Sequence, residues 1–204
     1  MKHKITNVFI PAFFVLLSLV GCKKDYDDGS TGGTGTPKPP AIDWAKAADS
    51  STGATITRFW NNADNYFNEK NTNTAFHYWP QAHGLDILVD AYLRTGNAEY
   101  KNYMDKWFTG VNRKNGNTFI NEFYDDMEWN ALAMLRAFEA TGDQKYKRAV
   151  DALWTDIKNG WNNTMGGGIA WRKAMPYYKN TPANAPPAIL AARLYKKTNN
   201  ADDL

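Results

Sequence analysis

The 204-residue chain is poor in the residues that build disulfide and metal sites, with one cysteine and three histidines. A single thiol excludes an internal disulfide, so burial alone must stabilise the fold. There is no His-Glu-x-x-His, no cysteine cluster and no acidic calcium loop. His77 and His83 are out of helical register for sharing an ion, and neither metal nor cofactor is expected. Gly166, Gly167 and Gly168 lack a following Lys-Ser/Thr, which reads as a close-packed turn rather than a phosphate loop. Charge of one sign is also missing. The 24 basic and 21 acidic residues are interspersed without a basic stripe, so nucleic-acid binding has no support. The apolar stretch 5–20 is interrupted by Thr6, Asn7, Pro11 and Ser18, and falls short of the roughly 20 apolar residues of a membrane span.

What is there begins with an address. Met1-Lys2-His3-Lys4 is a basic start, the apolar stretch follows, and Leu19-Val20-Gly21-Cys22 resembles the lipobox of bacterial lipoproteins. Residues 1–21 therefore read as a lipoprotein signal peptide. The resemblance implies that Cys22 is acylated and anchors the mature protein to the cell envelope, at the outer membrane. Residues 22–41 are charged and then rich in Gly, Ser, Thr and Pro, which have little to bury; they read as a flexible tether. Residues 42–204 are one domain-sized unit.

That unit is dominated by helical periodicity, and no hairpin-rich strand pattern precedes Trp161. Ile56, Phe59, Trp60, Ala63 and Phe67 follow the i, i+3, i+4 rule, which predicts a first helical region over 42–67, broken near Gly53. Further helices are predicted over 80–94, 98–107, 126–140, 144–158 and 184–197. Ala91-Tyr-Leu-Arg-Thr-Gly-Asn-Ala-Glu-Tyr100 parallels Ala137-Phe-Glu-Ala-Thr-Gly-Asp-Gln-Lys-Tyr146, and a weaker third copy begins at Ala192. Helix, Thr-Gly turn, helix, repeated at this length, means stacked α-hairpins in an all-α fold, open as a solenoid or closed as a toroid. The sequence ends just after the third turn, so a truncated array is expected.

With the Thr-Gly turns on one face, the N-termini of helices two, four and six share the opposite rim. Tyr78-Trp79-Pro80-Gln81, Phe123-Tyr124-Asp125-Asp126 and Thr181-Pro182-Ala183-Asn184 lie there. Adjacent Asp125 and Asp126 at a helix start repel each other, which drives their pKa values apart, while the helix N-terminus favours one anion. One charged and one protonated carboxyl is what glycoside hydrolysis needs. An N-capping role is the plainer reading of any one Asp in such a place; the surrounding aromatic and amide side chains favour chemistry.

Tyr124-Asp125-Asp126-Met127-Glu128-Trp129-Asn130-Ala131-Leu132-Ala133 resembles the Asp-Asp motif of glycoside hydrolase family 76, the bacterial endo-α-1,6-mannanases. The stretches at residues 78–86, 166–171 and 179–195 resemble the family's second helix, glycine-rich turn and sixth helix. The resemblance covers almost everything after Ile42. It implies an (α/α)6 toroid, of which this sequence holds about the first half, and a retaining reaction on α-mannan. Asp125 would be the nucleophile and Asp126 the general acid/base. The family often carries two aromatics after the pair, whereas here Trp129 is followed by Asn130, which bears on subsite detail.

Trp79, Trp129, Trp171 and Tyr177 are candidate sugar-stacking rings, of which about half should be core given how large apolar rings are usually buried. Asn180 and Asn184 are candidate hydroxyl partners, or else a turn residue and a helix cap. Glu122 and Glu128 are alternative acids, although such residues are mostly solvated. Two other functions compete with mannan hydrolysis: a non-catalytic surface glycan-binding lipoprotein on the same repeats, and a repeat scaffold for proteins. The Asp pair speaks against the first, the polar-aromatic rim against the second.

Overall fold

The computed structural model describes residues 41–203, so the signal, tether and Cys22 readings lie outside the described residues. Among the described residues there are six α-helices: α1 (Trp44–Phe59), α2 (Trp79–Thr95), α3 (Ala98–Lys114), α4 (Tyr124–Thr141), α5 (Gln144–Lys158) and α6 (Ala185–Thr198). A short 3-10 turn, Ala201–Asp203, follows α6.

The repeat is visible atom by atom in its turns. Thr95, Thr141 and Thr198 each donate a hydroxyl to the carbonyl four residues back, on Ala91, Ala137 and Leu194, at 2.7, 2.7 and 3.1 Å. Each then accepts the backbone N–H two residues on. The residue between is left-handed: Gly96 (φ 67°), Gly142 (φ 71°) and Asn199 (φ 54°). Glycine adopts that conformation without steric cost, and Asn is the usual second choice. Asn97, Asp143 and Asn200 then accept from the N–H two residues on, opening the next element with side-chain caps. The third copy is weak in sequence yet equivalent in geometry.

Helix α4 is the central element, packed against α2, α5 and α6. This explains why Tyr124, Met127, Glu128, residues 130–135 and Ala137 are all buried. A continuous core of Leu85, Leu88, Val89, Met104, Trp107, Met134, Leu135, Leu153, Ile157 and Leu190 joins the hairpins. Ion pairs stitch their edges, with Arg136 on α4 held between Asp86 and Asp90 of α2.

The first helical region differs from expectation in two ways. Helix α1 runs unbroken through Gly53, around which a methyl group would find open space. It also ends at Phe59 instead of reaching Phe67. Asn61 explains the stop: its side chain accepts the N–H groups of Ala63 and Asp64, which turns the chain back. Trp60-Asn61 then pair antiparallel with Tyr66-Phe67, and Trp60 and Phe67 meet edge to face at 5.1 Å. Tertiary packing of these aromatics overrides a helical period.

The hairpin docks through Gln81 in the first turn of α2. Its amide accepts the Phe67 N–H at 2.9 Å and donates to the carbonyls of Phe67 (2.8 Å) and His77 (2.9 Å). Gly110 and Gly84 permit close approach. A Cβ on Gly110 would sit 2.1 Å from the Asn65 carbonyl oxygen, and one on Gly84 2.3 Å from the Phe67 ring.

Candidate active site

The N-terminal turns of α2 and α4 are joined directly. Asn130, fully buried, donates from Nδ2 to the Tyr78 carbonyl at 3.1 Å and to the Asp126 carbonyl at 2.8 Å. Tyr78 is itself fixed by a hydroxyl bond to the Phe119 carbonyl at 2.8 Å. Asn130 is therefore a polar tie between the first turns of α2 and α4.

Asp125 and Asp126 start α4, half-buried. Neither acts as an N-cap by its side chain; Phe123 occupies that position. Asp125 Oδ1 accepts the Asp126 N–H at 3.1 Å, and its Oδ2 accepts the Trp171 indole N–H at 3.1 Å. Burial raises the Asp125 carboxyl above its usual value, and these hydrogen bonds pull it back. Among the described residues nothing donates to the Asp126 carboxylate. Its burial, together with the charge of Asp125, lifts it to about 7. Two neighbouring carboxyls thus differ: hydrogen bonds offset part of the burial at Asp125 and make it the easier of the two to ionise, while Asp126 holds its proton up to near neutrality.

The segment 160–184 wraps this turn. Tyr124 N–H donates to the Trp171 carbonyl at 3.0 Å, and Trp171 N–H to the Tyr178 carbonyl at 2.9 Å. The Trp171 ring lies between Phe123 and Tyr178, with centroids at 5.2 and 5.7 Å. Glu122 anchors the far side, its Oε1 accepting the Ala174 N–H at 3.1 Å.

Of the other sequence candidates, Trp79 is 49% exposed and Tyr177 59%, while Trp129 and Trp171 are half-buried. None of the four is fully buried, although about half were expected in the core, and Trp129 packs against it. Trp79, His83 and Trp129 form a row, with centroids at 5.6 and 5.7 Å. His83 was not expected there; its i+4 spacing from Trp79 is the signal that places it. Asn180 and Asn184 are occupied with backbone. Asn180 Oδ1 accepts the Ala183 N–H at 3.1 Å. Asn184 accepts from Ile169 N–H at 2.8 Å and donates to the Ile169 and Asn180 carbonyls at 3.0 and 2.8 Å. Asn184 holds the segment after the glycine-rich turn to the start of α6, and Asn180 shapes the turn that leads into that helix. Gly168 (φ 119°) approaches Asn184 so closely that a Cβ would lie 2.6 Å from its Oδ1.

Glu128 departs most from expectation. It is fully buried rather than solvated, and neither carboxylate oxygen has a hydrogen-bond partner. Burial and the charge of Asp125 raise it to about 9.

Stacked helical hairpins with paired carboxyls on the rim define the class, an all-α domain of the (α/α)6 helical-hairpin type. The sequence model of glycosyl hydrolase family 76 matches residues 43–204, and the chain belongs to that family. The α-1,6-mannanase GH76A of Salegentibacter sp. HEL1_6 is 40% identical with a TM-score of 0.76, over 79% of this chain and 48% of that one. An inactive variant of the same enzyme, two consecutive aspartates replaced by alanine, was solved with an α-1,6-linked mannotetraose. A protein of Listeria innocua is 37% identical with a TM-score of 0.73, over 80% of this chain and 49% of that one. The chain thus spans about half the length of the structures it matches. No curated protein sequence matches.

Proposed function

We propose that the full-length protein hydrolyses α-1,6-mannosidic linkages in mannan with retention of configuration, Asp125 acting as nucleophile and Asp126 as general acid/base. The observation that carries this is the split between the two carboxyls. In a retaining reaction one carboxylate attacks the anomeric carbon while the other delivers a proton to the leaving oxygen, then takes one from water. Asp125, with two donors on its oxygens, is the better anion. Asp126, lifted to about 7, carries the proton at neutral pH.

The relative's inactivating changes also fall on consecutive aspartates. This chain has three such pairs. Asp27-Asp28 precedes the family match. In Asp202-Asp203, the Asp203 carboxylate is taken up by Trp154 and Thr198. Asp125-Asp126 is the pair set on the rim beside exposed aromatics. The row Trp79, His83, Trp129 and the exposed Tyr177 offer ring faces to the C–H faces of sugars. Asn184 positions the segment that carries Trp171, and Asn180 supports Asn184 through its own carbonyl; this is how they serve binding. Cys22 is the acylated residue that tethers the enzyme to the outer membrane, and Cys22→Ala should move it to the soluble fraction.

The test is release of reducing sugar from α-1,6-mannan. Asp125→Asn and Asp126→Asn should each abolish it while oligomannoside binding persists, since the amides keep shape but supply neither nucleophile nor transferable proton. Acid–base assistance alone is worth about 10²–10⁴-fold. Binding of mannan without turnover by the wild type would instead favour a glycan-binding lipoprotein.

A further inference from the structure

Three carboxyls crowd the first two turns of α4, and the mechanism uses two. The third, Glu128, lies one turn after Asp125 on the same side of the helix, three residues on. It has no solvent exposure, and neither oxygen meets a donor. Among the described residues no Lys, Arg or His lies within ion-pair distance of it. Of the ionisable groups on the elements packed against α4, Asp86 and Asp90 of α2 pair with Arg136, Asp156 of α5 with Lys173 and Lys197 of α6 with Glu139; Arg148 of α5 and Arg193 and Lys196 of α6 are exposed, and Arg172 of the segment 160–184 lies over the Phe123 and Trp171 rings. His83 of α2 lies between Trp79 and Trp129. The one charge that acts appreciably on Glu128 is that of Asp125.

An ionised carboxylate in such a place has neither water nor a counter-charge, and the cost of burying it is escaped by keeping the proton. Protonation has a consequence for its neighbour. Charge repulsion is mutual, so an ionised Glu128 would raise Asp125 and weaken it as an anion. With Glu128 neutral, the single negative charge of the turn rests on Asp125, at the end facing the rim. There it meets the positive charge that develops on the sugar in an oxocarbenium-like transition state.

We propose that Glu128 is a positioning residue for the Asp pair: buried as the neutral acid beneath Asp125, it confines the negative charge of the turn to the nucleophile, and its ionisation adds a second, steeper loss of activity beyond the limb set by Asp126. The proposal rests on the functional reading above. Glu128 touches no substrate in it.

Two measurements on the full-length protein test it, using Glu128→Gln as the isostere that cannot ionise and Glu128→Met as an apolar replacement. The first needs no substrate. A carboxyl raised from 4.5 to about 9 lends stability that is whole below 4.5 and is lost as pH rises toward 9. The Tm of the wild type should therefore fall relative to both variants as pH goes from 5 to 9. Parallel Tm curves would overturn the proposal by itself. The second is the pH profile of kcat/KM. Glu128→Gln should keep its neutral limb where the wild type has it and retain activity there within about threefold, because it replaces one neutral group by another. Above pH 9 the wild type should fall with the steepness of two protons and the variant with that of one. A neutral limb displaced downward by a full pH unit in Glu128→Gln would mean that Glu128 is charged in the wild type, and would refute the proposal. A wild type that releases no sugar removes the functional reading, while the Tm curves still decide whether Glu128 holds its proton. A purely structural Glu128 would change Tm equally at all pH values and leave the alkaline limb alone.

Discussion

The indole N–H of Trp171 reaches the Oδ2 of Asp125 at 3.1 Å, linking residues 46 positions apart in sequence. It ties the nucleophile proposed here to a loop belonging to the next hairpin. A hydrogen bond to a charged group contributes about 1.5–3 kcal/mol. Trp171→Phe should therefore lower kcat/KM by roughly 10–100-fold and move the acid limb of the pH profile upward, since Asp125 loses a donor that favours its ionised form. An unchanged acid limb would show that the bond does not act on the carboxylate.

The alkaline limb belongs to Asp126. A general acid must be protonated, so kcat/KM should hold up to about pH 7 and fall tenfold per unit from there to about 9. The same elevation acts on folding. Stability contributed by protonated Asp126 is complete below 3.8 and is lost as pH rises toward 7. Asp126→Asn should accordingly gain in Tm relative to the wild type between pH 4 and 7, even as it loses activity. A limb at pH 4–5 would assign the acid role elsewhere.

Asn130 joins the turns of α2 and α4 through the Tyr78 and Asp126 carbonyls. Asn130→Leu removes that donor from both, at a cost of about 0.5–1.5 kcal/mol for each hydrogen bond lost, the Tyr78 carbonyl keeping the Gln81 N–H. We expect a lower Tm and a fall in kcat larger than the change in KM, because Asp126 shifts while the exposed rings keep their places. Steady-state kinetics beside a thermal melt will separate the two effects.

Two glycines should respond in opposite directions. Gly110→Ala drives a methyl group to 2.1 Å from the Asn65 carbonyl oxygen, and overpacking of this kind costs about 1–3 kcal/mol. Gly53→Ala, in open space within α1, should stabilise by about 0.5–1 kcal/mol. Tm measurements at one pH decide both.

Most of the helices were legible because period and caps agree. Gly96 and Gly142 close α2 and α4 as the Thr-Gly signals require, and α5 spans the residues predicted for it. Residues 60–67 were not, because Ala63 and Phe67 continue a helical period that the Asn61 turn interrupts. The place of the Asp pair in the first turn of an inner-rim helix was legible from the sequence, while the role proposed for it rests on chemistry and resemblance. Glu128 was not: a Glu beside two acids reads as solvated, and only the packing of α4 on three sides buries it. Asn180 and Asn184 show the same limit. Their amides suit sugar hydroxyls, but the neighbours that occupy them come from the fold.

Gln81 grips Phe67 through both its N–H and its carbonyl and also holds the His77 carbonyl, so one side chain fastens both ends of the stretch between them. Residues 69–75 in that stretch are solvent-exposed. Closing a loop costs free energy that grows only slowly with its length. Insertions or exchanges there leave the anchors, and hence Trp79 a few residues on, where they are. That stretch is a margin of the fold that can accept change while the paired carboxyls stay untouched.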